Sequence, residues 1–151
     1  MKTKPGEIER ESMAIINAEL SARGLVPDAE NATVVCRCIH ASADFYYAEN
    51  LRFTPGAVKR AVEALRGGVP IVTDTNMAKA GVSRSALERL GGEVHCFMAE
   101  PEVAAAAKER GSTRAAAAVD CAAARYPDAV LVNRLPWKLS YPTVAVSVLR
   151  A

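Results

Sequence analysis

His40 follows Arg37 by three residues, and the chain has only one other histidine, His95. On a helix that spacing sets a guanidinium and an imidazole one turn apart on the same face. Such a pair could hold a polyanionic conjugated substrate and protonate it. The plainer alternative, that His40 ends a helix and bonds a carbonyl, stays open on the residues alone. His95 lies in the apolar run Val94-His95-Cys96-Phe97 and reads as structural. A second cluster, Asp74-Thr75-Asn76, directly follows the β-branched run Val69-Pro70-Ile71-Val72-Thr73. In an α/β sheet, ligands bind where strand carboxyl ends meet loops, so Asp74 and Thr75 are expected to face a site. The bland alternative is a connecting loop capped by Asp and Thr. A third cluster, Ser112-Thr113-Arg114 at a helix start, combines free N–H groups, hydroxyls and a guanidinium, which suits a carboxylate. Capping explains Ser112 and Thr113 equally well, so the functional weight falls on Arg114.

Other chemistries find little support. If residues 32–40 formed a strand, Cys36, Cys38 and His40 would share a face, but no fourth metal ligand is evident. The chain carries no Gly-rich phosphate loop and no Ser-His-Asp ordering. Cys36, Cys38, Cys96 and Cys121 show neither a CxxC pair nor disulfide spacing, so they read as free thiols.

The elements that must position these residues alternate. Pro5 suits the first turn of a helix, with Glu7 and Glu9 near its positive end. Ile8, Met13, Ile15, Ile16 and Leu20 form its apolar stripe, with Ser12 at the edge, and Gly24 stops it. Asp28 is expected to cap a second helix that includes Ala32 to Ile39, although Thr33-Val34-Val35 also favours a strand. Residues 41–53 read as a short strand or loop. Thr54-Pro55 opens a helix whose buried face is Val58, Ala61, Val62 and Leu65, ended by Gly67-Gly68. Val69 to Thr73 is then a strand buried on both faces. Met77 to Ala80 makes a helical turn, and Ser83 caps a helix through Leu90. Glu93 to Met98 is a second strand, followed by helices over 102–110 and 114–124. Residues 129–132 form a third strand, and 143–149 can make one more. This alternation implies an α/β fold with a mostly parallel, helix-covered sheet.

With 151 residues, half apolar and about a quarter charged, the chain fits one globular domain. A net charge of +2 and few aromatics argue against a nucleic-acid partner. The polar N-terminal stretch has no signal-peptide core, and no run of roughly 18 apolar residues could span a membrane. A cytoplasmic protein is expected.

The wording of Thr73-Asp74-Thr75-Asn76-Met77-Ala78-x-Ala80-Gly81-Val82 resembles the core segment of the precorrin-8X methylmutase family, enzymes of cobalamin biosynthesis. Ile8-Glu9-x-x-Ser12-Met13-x-Ile15-Ile16 resembles that family's N-terminal helix. Arg37-Cys38-Ile39-His40 is similar to its Arg-x-x-His, and Gly111-Ser112-Thr113-Arg114 to its Gly-x-Thr-Arg. The four matches occur in family order and cover residues 8–133. The resemblance implies a three-layer α/β/α protein, a homodimer, that works without a cofactor or metal on a corrinoid tetrapyrrole. The implied reaction is a formal 1,5-sigmatropic shift of a methyl group from C-11 to C-12 of precorrin-8 or its cobalt form, giving hydrogenobyrinic or cobyrinic acid. His40 would be the acid/base, with Ser12 and Arg37 placing the substrate and Asp74, Thr75 and Arg114 assisting. The threonine-rich wording leans toward the cobalt-using branch.

Beyond Asn133 the resemblance ends. Where the family reads Gly-Asn-Ala-Pro-Thr and continues, this sequence reads Arg134-Leu135-Pro136-Trp137. The expected organisation is a methylmutase-like domain over 1–133 and a divergent tail over 134–151, as in a truncated, frameshifted or trimmed member. A catalytically impaired tetrapyrrole-binding remnant is the alternative function. A second alternative is an α/β phosphotransferase, since an apolar strand ending in Asp74 resembles the haloacid-dehalogenase D-x-D-x-T signature. That signature needs an acid at Asn76 and a Thr at Ala78.

Overall fold

The computed structural model describes residues 4–134 and 144–148. They fall into two compact units, residues 1–59 and 60–151, with the division inside one helix.

The first unit is helical. Helix α1 (Pro5–Ala22) starts with Pro5 at its first position, and the Glu7 carboxylate accepts from the Lys4 backbone N–H at 3.1 Å. Helix α2 (Ala32–Ser42) resolves the helix-or-strand ambiguity in favour of the helix. It starts later than Asp28 capping would require. Asp28 instead closes a turn, its carbonyl accepting from Asn31 N at 2.9 Å and its carboxylate from Asn31 Nδ2 at 3.3 Å. Ile16 and Leu20 of α1 pack with Val35, Cys36 and Ile39 of α2, joined at the edge by Met13, Phe45 and Phe53. The Cys36 thiol in this core donates to Asn17 Oδ1 at 3.6 Å. Within the segment expected to be strand or loop lies a short helix, α3 (Tyr46–Asn50). Asp44 nucleates it by accepting from the Tyr46 N–H at 2.9 Å.

Helix α2 ends unusually. Ala43 adopts a left-handed conformation, φ 56°, while its N–H donates to the Ile39 carbonyl at 2.7 Å. Glycine is the common residue there, because a Cβ is strained in this region.

Helix α4 (Ala57–Arg66) leads into the second unit. Val58, Ala61 and Leu65 are half-buried and Val62 remains 39% exposed, so the expected face is only partly covered. Gly68, at φ +73°, turns the chain into the sheet, and its backbone lies so close to Leu90 and Gly91 that a Cβ would meet their carbonyl oxygens at 3.2 Å.

Four strands in the order β2-β1-β3-β4 form the sheet: β1 (Ile71–Thr73), β2 (Val94–His95), β3 (Val130–Arg134) and β4 (Val144–Val148). β1 pairs parallel with both β2 and β3, whereas β4 runs antiparallel to β3. The fold is therefore α/β with a mostly parallel sheet, as the alternation implied. Val72 and Thr73 are each 2% exposed, so β1 is buried on both faces. It is shorter than the apolar run because Pro70 has no N–H to give, although its carbonyl accepts from Val130 N at 2.9 Å. β2 covers only part of the expected stretch, since Phe97 begins a turn closed by Glu100 N at 3.0 Å.

Two short helices, α5 (Asn76–Gly81) and α6 (Arg84–Arg89), connect β1 to β2. Helices α7 (Pro101–Glu109) and α8 (Arg114–Arg125) connect β2 to β3. Their Val103, Ala107, Ala117, Ala118 and Ala122 pack with Val72, Phe97 and Leu131. Alanine favours the helix and lets α8 approach closely. His95 belongs to this region too, stacked on Tyr126 with ring centroids 4.6 Å apart and on Phe97 at 6.0 Å. Its Nε2 lies 3.3 Å from Glu93 Oε2 without hydrogen-bond alignment. Leu135, Pro136 and Trp137 lie outside the described residues.

Candidate active site

In the first unit, three of the candidate residues meet along α1 and α2. His40 sits in the last turn of α2, where its ring leaves the core made by Val35, Cys36 and Ile39. Its Nδ1 lies 2.8 Å from Ser12 Oγ on α1. One imidazole nitrogen is thus engaged within the protein and Nε2 is left for another partner. The bond also fixes the ring plane, which a single exposed imidazole would not do.

Arg37 lies on the same exposed side of α2, and its Nη2 is 2.6 Å from Glu9 Oε1 on α1. The guanidinium remains 61% exposed, and a single nitrogen contacts the carboxylate. Most of its N–H fork stays available to a second anion. Cys38, next to Arg37, is half-buried, and burial pushes its thiol pKa up, so it does not supply a thiolate here.

Ser12 and His40 stand on the rim of an open cleft of about 350 Å³. Ile8, Glu11, Ile15 and Ile16 of α1 line it together with Ile39, Ala43 and Phe45. Ile8 and Ile15 are 54% and 63% exposed, an unusual display of apolar surface beside an ionisable pair. A cleft of this lining has room for one apolar edge of a flat ligand, with the His40 imidazole at its rim.

Asp74, Thr75 and Arg114 belong to the second unit. Asp74 is half-buried at the carboxyl end of β1, its N–H donating to the Val132 carbonyl at 3.1 Å. Thr75 caps α5, its Oγ1 accepting from Ala78 N at 3.1 Å. The buried Thr73 hydroxyl contacts the carbonyls of Thr75 and His95 at 3.0 and 3.3 Å, tying the end of β1 to that of β2. Arg114 is exposed at the first position of α8, after Thr113, whose Oγ1 accepts from Ala116 N at 3.2 Å. Thr75 and Thr113 therefore both serve as helix caps. Among the described residues no group of three His, Cys, Asp or Glu side chains could hold a metal ion.

Glu9 is the residue that spacing missed. It stands in the sequence as an acid near a helix start and within the Ile8-Glu9-x-x-Ser12 motif, but nothing there marks it as the partner of an arginine 28 positions away.

These features belong to an α/β protein with a hydrogen-bonded histidine on the rim of a mostly apolar cleft and an arginine three residues before it on the same helix. The chain belongs to the precorrin-8X methylmutase family, whose model matches residues 7–133. It is 37% identical over 126 residues to the cobalt-precorrin-8 methylmutase of Salmonella typhimurium (strain LT2), covering 80% of this chain and 59% of that protein. The precorrin-8X methylmutase of Pseudomonas aeruginosa (strain PAO1) is 39% identical over 113 residues, 75% of this chain and 53% of the relative. A crystal structure of a precorrin-8x methyl mutase from Thermus thermophilus superposes with a TM-score of 0.70 at 35% identity, covering 84% of this chain and 61% of that one. The chain thus spans 53% to 61% of the length of these relatives.

Proposed function

We propose that this chain acts as a methylmutase of cobalamin biosynthesis, moving a methyl group from C-11 to C-12 of precorrin-8 or its cobalt form. The observation that carries the reading is the Ser12–His40 hydrogen bond at the rim of the apolar cleft. With Nδ1 engaged by Ser12, His40 presents Nε2 to the macrocycle and lends it a proton, which polarises the conjugated system as the methyl group migrates. The proton returns to the imidazole afterwards, so substrate and product have equal mass. Arg37 takes a substrate carboxylate on the N–H groups that Glu9 leaves open, and Ile8, Ile15 and Phe45 cover an apolar edge. Holding the ring in one pose supplies much of the catalysis, because the migrating group travels between neighbouring atoms. Asp74, Thr75 and Arg114 of the second unit are proposed as further substrate-binding residues, and no cofactor takes part. The working form is a cytoplasmic homodimer. Family membership and the relatives' names support this reading.

The test is conversion of precorrin-8 and of its cobalt form by the purified chain, followed by absorbance and a retention shift without mass change. Conversion of either is the expected result. Binding of hydrogenobyrinic or cobyrinic acid without conversion of either precursor identifies a tetrapyrrole-binding remnant instead. Absence of both binding and conversion removes the tetrapyrrole reading.

A further inference from the structure

Arg37 is already engaged by a carboxylate before any substrate arrives. The Glu9 contact neutralises part of its charge, which is a poor arrangement if the residue serves only to attract anions. The pair is open to solvent on both sides, 61% for Arg37 and 42% for Glu9, so its worth to the fold is small. It reaches from α1 to α2 beside the Ser12–His40 bond, three residues earlier on each helix. The guanidinium and the imidazole are therefore both held by side chains of α1 that are themselves three residues apart. A long, flexible arginine gains direction from such a tether, since its planar fork must meet a carboxylate edge-on.

From this geometry we propose that Glu9 is a positioning residue: it acts through Arg37, fixing the guanidinium so that its remaining N–H edge faces one substrate carboxylate. The arrangement sacrifices some affinity, because a fixed negative charge stands beside an incoming anion, and gains a single pose. This rests on the methylmutase reading above and adds to it a residue that touches neither macrocycle nor proton.

Glu9→Gln keeps size and hydrogen-bonding capacity while removing the charge. Product affinity, measured by absorbance titration with cobyrinic acid, should stay level or tighten by about two- to fivefold, the scale of one exposed charge pair. Turnover should fall by roughly tenfold or more, as expected when a reacting group is misaligned. Glu9→Asp should recover part of the rate. In an Arg37→Ala background, Glu9→Gln should have no further effect on rate, since the two act as one unit. Binding and rate falling together in Glu9→Gln, with a lower Tm, would mean a structural role and overturn the proposal. So would an unchanged rate. A second arm needs no substrate: the Arg37 guanidinium NMR signal should show hindered rotation in the parent and free rotation in Glu9→Gln. If the parent neither binds nor converts the corrinoid, the functional reading fails. The NMR arm then decides by itself whether Glu9 holds Arg37, and equal mobility in both proteins overturns that as well.

Discussion

His40 and Arg37 stand one turn apart on α2, His40 bonded to Ser12 and Arg37 to Glu9, and the proposed function gives them different work. General acid–base assistance is typically worth about 10²–10⁴ in rate, while a neutral hydrogen bond adds only about 1 kcal/mol to binding. If the proposed methylmutase reading holds, His40→Ala should therefore abolish methyl migration and leave cobyrinic acid affinity within about tenfold. Arg37→Ala should weaken that affinity by about 1.5 kcal/mol, the low end for a charge-assisted bond, because Glu9 already occupies one nitrogen. Affinity titrations and single-turnover assays on both variants check this. If His40→Ala retains most of the rate, His40 is not the acid. Cys38 bears on stability rather than chemistry. Burial raises its pKa in the fold, so the native state keeps a proton that the unfolded chain releases. Its contribution is intact below the free-thiol range and is lost as pH climbs through that range and beyond. Thermal unfolding of the parent should steepen at alkaline pH, and Cys38→Ala should flatten that slope. At this scale the sequence showed residue types but not partners. Arg37 and His40 were legible from a three-residue spacing. Glu9 and Ser12, both on α1, reach them only because two helices fold together, and no local pattern encodes that crossing.

At the scale of elements, the end of α2 and the packing of α8 make the clearest predictions. Ala43 holds a left-handed φ that costs an alanine about 1–2 kcal/mol, partly offset by the greater unfolded freedom of glycine. Ala43→Gly should raise stability by about 0.5–1 kcal/mol in urea titrations. A loss of stability would show that the Cβ packs usefully in the cleft lining. Ala122 is fully buried where α8 meets Phe97 and Leu131, so Ala122→Leu should destabilise by about 1–3 kcal/mol through overpacking. A neutral result would mean that α8 can shift to make room. Several start signals were readable from sequence: Pro5, Thr75, Ser83 and Thr113 stand at observed helix starts, whereas α4 begins at Ala57, two residues past the expected first position at Pro55. α3 was not readable, because its nucleus is an Asp44 side chain bonding backbone within an aromatic stretch that has no helical period. β1 and β2 are shorter than their apolar runs suggested and β3 runs further, to Arg134, since an apolar run shows what can be buried and the ladder decides what is paired.

Among the described residues each unit has its own apolar core, one built by α1 and α2 and the other by the sheet with α7 and α8. Among the described residues no helix is long and apolar enough to cross a membrane. Each core contains or borders cysteines, and none of the four is in a disulfide. Cys36 is the buried one, its thiol turned to Asn17 across the joint between α1 and α2. Alkylation of Cys36 should therefore wait for that joint to open, so its rate in dilute reagent reads the free energy of opening directly. Cys96 and Cys121, half-buried in the second unit, should react earlier under native conditions. Peptide mapping by mass spectrometry after timed quenching would separate the three, and early labelling of Cys36 would mean a joint that opens easily. Because Cys36 immediately precedes Arg37, the same clock keeps time for the site. A bound corrinoid that bridges the two helices would slow it, with no need for the ligand's own colour to report.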